Sequence, residues 1–100
     1  MNLVADSGGV LRVTGLDHLG AANCGELKQR VVSTLTDTIR IVELDCTALR
    51  YIDSDGFGVL INLHKRLGAD FGCVRLLQPS PALRELLRLL RFNEIFELTP

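Results

Sequence analysis

The chain lacks an excess of either charge, is poor in aromatic rings and has no long apolar run. Eleven Lys and Arg against 12 Asp and Glu in 100 residues leave a formal charge of −1. With a pI near 6.1 and 5% aromatics, there is no global basic field for a phosphodiester backbone and few rings to stack bases, so nucleic acid is not an expected partner. Met1 to Gly9 carries Asp6 but no Lys or Arg, unlike the charged start of a secretory signal. Every apolar stretch is interrupted well before the roughly 20 residues a bilayer crossing needs. Direct membrane insertion is therefore not expected, and a soluble, cytoplasmic chain is. Cys24, Cys46 and Cys73 are odd in number and too far apart for a CxxC pair, and His18 and His64 add no ligand pair at metal spacing. The cysteines read as buried, reduced thiols, with no disulfide, metal or cofactor.

What is present is 47% apolar residues in a length that suits one domain, 1–100, with a single core. Asn2 to Asp6, the turn Ser7-Gly8-Gly9 and Val10 to Thr14 read as an opening hairpin. Asn23 followed by Glu26 predicts a capped helix with Leu27, Val31 and Leu35 on one face, ending near Thr36. Ile39 to Leu44 suits a central strand largely covered on both sides. Asp45 to Tyr51 reads as a connection, and Val59 to Leu67 as a buried helix capped by Ser54 and closed by Gly68. Phe71 to Leu77 predicts a strand, and Ser80-Pro81 starts a helix with Leu83, Leu86, Leu87 and Leu90 as its apolar face. Phe92 to Leu98 reads as a turn or short strand. The alternation predicts an α/β fold, a mixed sheet with helices mainly on one side.

The densest polar cluster is Asp53-Ser54-Asp55-Gly56, at a strand-to-helix junction. Spacing alone makes Ser54 an ordinary N-cap, and the same junction, with its free backbone N–H groups, favours an anion such as phosphate. Counting removes most enzyme alternatives. His64 stands ten residues beyond Ser54 and no GxSxG elbow is present, so a hydrolase would need the fold to bring up His18. A calcium loop with Gly56 at its sixth position would place Tyr51 where a carboxylate is required. A dinucleotide fingerprint beginning at Gly56 meets Ile61 instead of glycine. An aspartyl-phosphate motif of the haloacid type at Asp53-Ser54-Asp55 has Phe57 where a small residue is expected. A nucleotide- or phosphate-binding enzyme at this junction is the weakest alternative retained.

The segment Ile52-Asp53-Ser54-Asp55-Gly56-Phe57-Gly58-Val59-Leu60, preceded by Val42-Glu43-Leu44-Asp45, resembles the STAS family of sulfate-transporter and anti-sigma-factor-antagonist domains. Leu19 to Asn23, Leu76 to Leu83 and Asn93 to Leu98 extend the likeness over nearly the whole chain. The resemblance implies a switch: binding of an anti-sigma factor that is also a serine kinase, loss of binding on phosphorylation of Ser54, and restoration by a serine phosphatase. It makes Asp53 the motif aspartate and puts partner contacts at Asp53, Ser54, Asp55, Gly56 and Phe57. Two positions depart from the pattern. Asp55 stands where Ser or Thr is usual, and the family's second Asp corresponds either to Gly20 or to Asp17 three residues before it. The same family also contains accessory subunits of bacterial ABC lipid transporters, which need no phosphorylation. Among other residues, His18 and His64 read as ordinary polar side chains, and Arg84, Arg88 and Arg91 as a solvated basic face. Phe57 suits either core packing or an exposed apolar anchor.

Overall fold

The computed structural model describes residues 1–69 and 72–100. Strands β1 (Asn2–Ala5) and β2 (Val10–Thr14) form the expected antiparallel hairpin, with Leu3 opposite Val13. A two-residue strand β3 (His18–Leu19) leads into helix α1 (Cys24–Thr34), which ends two residues before the expected Thr36. Strand β4 (Ile41–Asp45) follows, then β5 (Tyr51–Ile52), helix α2 (Ser54–Gly68), strand β6 (Cys73–Leu77), helix α3 (Pro81–Leu89), a 3-10 turn at Phe92–Glu94 and strand β7 (Glu97–Thr99). The expected start of β6 at Phe71 lies outside the described residues.

The five-stranded sheet has the order β1-β2-β4-β6-β7, antiparallel at the hairpin and parallel elsewhere, so it is mixed as expected and β4 is central. Alternation sorts the side chains. Leu11, Val13, Val42, Leu44, Val74 and Leu76 point into the core, where Leu27, Val31, Leu60, Leu63 and Leu87 of the helices meet them. The other sheet face carries Arg12, Glu43, Arg75 and Glu97 in register across four strands. Glu43 Oε1 accepts from Arg12 Nε at 3.0 Å, its Oε2 accepts from Arg75 Nη1 at 3.0 Å, and Arg75 Nε donates to Glu97 Oε1 at 3.1 Å. β4 is largely covered on both sides as expected, but the cover differs: apolar packing lies on one face, and an ion-pair ladder screens the other. Glu43 is buried because two guanidiniums enclose it.

The face of α3 also differs from its apolar spacing. Leu83 and Leu87 are buried, but Leu86 and Leu90 stand 40% and 49% exposed. A helix at the edge of so small a core has only a narrow buried stripe, so two of the four periodic leucines face outward. Ser80 caps this helix as expected, accepting from Leu83 N–H at 3.2 Å.

Candidate functional site

Strands β3 and β5 pair in parallel, His18 with Tyr51 and Leu19 with Ile52, so the chain leaves both at the same end of the molecule. This pair was invisible in the sequence, where two-residue strands carry no periodicity. It sets the start of α2 beside the turn that precedes α1. Asp53, next after β5, has extended backbone (φ −94°, ψ −176°), and its carboxylate turns back over both elements. Oδ1 accepts from Gly56 N–H at 3.0 Å and Oδ2 accepts from Ala21 N–H at 3.2 Å.

Asp53, not Ser54, is therefore the N-cap, and the expected cap at Ser54 is corrected. A carboxylate has two oxygens to offer, and here one serves the helix and the other the neighbouring turn. Two glycines permit the arrangement. A Cβ on Gly20 would lie 2.2 Å from Asp53 Oδ2, and one on Gly56 would lie 2.3 Å from the Leu19 carbonyl oxygen. Asn23 occupies the N-cap position of α1 but does not cap it. Its amide closes the turn instead, accepting from Gly20 N–H at 3.0 Å and donating to the His18 carbonyl at 2.9 Å.

Freed from capping, Ser54 is the first helical residue and is exposed, as are Asp53 and Asp55. Among the described residues its hydroxyl has no hydrogen-bond partner. Beside it runs an open groove of about 340 Å³ between the first turns of α1 and α2, lined by Ser54, Asp55, Gly58 and Asn62 on one side and by Cys24 and Lys28 on the other. The N–H groups of Gly56 and Ala21 hold the Asp53 carboxyl below the usual carboxylate range, and His18 adds a smaller effect in the same direction. Asp53 is thus ionised at neutral pH next to a neutral, accessible hydroxyl. His18 is engaged elsewhere, its Nδ1 2.7 Å from Asp17 Oδ1 and its ring stacked on Tyr51. His64 Nδ1 accepts from Val74 N–H at 3.3 Å and its ring meets the Phe96 edge, a packing role. Neither histidine is bonded to Ser54 as a base. The hydroxyl is placed to receive a group from a reagent that brings its own base.

Of the remaining expected contacts, Gly56 is buried at the helix–strand contact. Phe57 is 8% exposed and stacks on Phe92 at 4.8 Å, which makes it a core residue here and removes it as an exposed anchor. Among the cysteines, all free, only Cys46 is fully buried, and burial pushes its thiol up to about 12. Cys24 and Cys73 are half-buried, a correction to the expectation for three buried thiols. Of the three arginines expected on a solvated face, Arg88 pairs with Glu85 at 2.6 Å and Arg84 donates to the Thr99 carbonyl at 2.9 Å. No local pattern marks the groove or Lys28, which depend on α1 and α2 lying side by side. No helix among the described residues is long and apolar enough to cross a membrane.

The family model of the STAS domain matches residues 4–100. The chain belongs to the STAS domain family. No curated protein sequence matches it. Among solved structures, the anti-sigma factor antagonist SpoIIAA in its unphosphorylated form is similar with a TM-score of 0.73 and 20% identity, over 99% of this chain and 86% of that one. The phosphorylated form of the same Bacillus cell fate determinant aligns with a TM-score of 0.70 and 19% identity, over 99% and 90%. An anti-sigma factor antagonist from Mycobacterium paratuberculosis gives 0.76 and 22%, over 99% and 83%. At these identities the likeness lies in the fold: a STAS sheet with its helices, here ending in the junction that presents Ser54.

Proposed function

We propose that this STAS domain is an anti-sigma factor antagonist that binds an anti-sigma factor with serine kinase activity and is released by phosphorylation of Ser54, a serine phosphatase reversing the step. The observation that carries this reading is Ser54 itself: an exposed hydroxyl at the first position of α2, without a hydrogen-bond partner among the described residues, beside the Asp53 cap. Family membership and the anti-sigma factor antagonists of the same fold support it. A cytosolic location follows from the nature of such partners.

The charge change accounts for release. Phosphate adds about −1.5 to −2 at a helix N-terminus, where the macrodipole tolerates it, so the fold survives. Beside Asp53 and Asp55 the same phosphate makes the exposed junction strongly anionic. A partner fitted to the neutral hydroxyl then meets like-charge and desolvation costs, which at about 2.7 kcal/mol weaken binding roughly a hundredfold.

The test is phosphorylation of wild-type and Ser54→Ala protein by the host's serine kinases of the anti-sigma type, with the site mapped by mass spectrometry. Modification confined to Ser54 is expected. Phosphorylation that persists in Ser54→Ala, or none with any such kinase, overturns the proposal. In the second case a complex with a transporter ATPase that ignores Ser54→Ala would establish the accessory-subunit alternative.

A further inference from the structure

We propose that Lys28 of α1 is the receptor for the Ser54 phosphate within the domain itself, so that the modified side chain lies along the α1–α2 groove paired to that ammonium. The inference rests on Ser54 being the phosphoacceptor. Ser54, Gly58 and Asn62 follow one another at four-residue intervals along the groove side of α2, and Lys28 lies one turn into α1 on the opposite wall. Helical side chains lean toward their own N-terminus, and both helices start at the end where β3 and β5 pair. That lean brings the level of Ser54 within reach of the four-carbon stem of Lys28, which lines the same groove. The groove is open at both walls, for among the described residues a Cβ on Gly25 or on Gly58 would meet nothing within 4 Å beyond its chain neighbours and its own helix backbone.

Charge makes the pairing one-sided. The charged and titratable groups around this junction are the Asp53 cap, Asp55 on α2, Cys24 and Lys28 on α1, and His18 of β3, which acts on Asp53. His18 is held by Asp17, leaving Lys28 as the groove's strong cation, with no carboxylate within ion-pair distance among the described residues. A phosphate on Ser54 is repelled by its two flanking carboxylates and drawn toward that ammonium. Such a pairing pulls the phosphate off the outer tip of the junction and alters the groove that a partner or a phosphatase meets.

Phosphoserine installed at position 54 during synthesis tests this independently of any kinase. The second phosphate pKa is read by ³¹P NMR titration in the otherwise wild-type protein, in Lys28→Met and in a control, Lys65→Met, whose cation lies near the far end of α2. Loss of Lys28 is expected to raise that pKa by about half a unit, the size of a half-exposed ion pair, and loss of Lys65 to leave it in place. Equal values in all three proteins overturn the inference. Because the phosphate is supplied chemically, that outcome leaves the kinase assay on Ser54 to decide separately whether the site is modified at all.

Discussion

Asp53 does two jobs with one carboxylate: it caps α2 and ties that helix to the turn before α1 through Ala21 N–H. Replacing it by alanine removes both bonds. Asp53→Ala is expected to lower Tm by several degrees and, more tellingly, to speed amide exchange at Gly56 and Ala21 together, measured by hydrogen-exchange NMR. Loss of protection at only one of the two would show that the carboxylate does not bridge the elements. The same bonds fix the sign of a pH effect. A carboxyl held below its ordinary value binds fewer protons folded than unfolded, so it stabilises the fold above about pH 4 and loses that contribution as pH falls through its lowered folded value. Asp6, lowered by the Val10 and Gly8 N–H groups of the hairpin turn, acts in the same direction. Denaturation followed from pH 5 down to pH 3 is expected to show declining stability, with a shallower decline in Asp53→Asn.

At the scale of elements, α2 must come close to β3 for the junction to exist. Gly56→Ala puts a methyl 2.3 Å from the Leu19 carbonyl oxygen, a contact that backbone must move to relieve. It is expected to destabilise by about 1–3 kcal/mol, measured by urea denaturation, whereas Gly58→Ala, on the open groove, is expected to be neutral or stabilising. The long elements were legible because their signals are local: the Ser80-Pro81 start of α3, the hairpin turn at Ser7-Gly8-Gly9 and the apolar run of α2 all stand where expected. What stayed hidden depends on pairing. No local pattern marks the two-residue strands β3 and β5, and only their pairing decides that Asp53 rather than Ser54 caps α2. The Asp-Ser-Asp-Gly cluster was legible as a polar strand-to-helix junction. The wall opposite, Lys28 with Gly25, was not, because it comes from a helix 26 residues earlier when counted from Lys28 to Ser54.

The whole molecule is two-faced. The helices and the junction lie on one side of the sheet, and on the other the ladder from Arg12 through Glu43 and Arg75 to Glu97 takes the place of a second helical layer. Glu43 is its centre, and its carboxylate raises the pKa of Arg75 above the ordinary guanidinium value. Removing that carboxylate leaves two arginines facing each other across β4. Glu43→Ala is expected to cost about 1.5–3 kcal/mol, measured by thermal or urea unfolding, while leaving phosphorylation of Ser54 unchanged. Reduced phosphorylation in a folded Glu43→Ala protein would mean that the two faces are coupled. Arg12, Glu43, Arg75 and Glu97 lie far apart in the sequence, and the register that joins four strands into one ladder exists only in the sheet.

Affinity tests the central claim most directly. The protein with serine and with phosphoserine at position 54 is titrated against an anti-sigma factor with serine kinase activity from the same host, with nucleotide hydrolysis blocked. Binding by the unmodified protein and a roughly hundredfold loss on phosphorylation are the expected result. Equal affinity for the two forms would contradict a switch at Ser54.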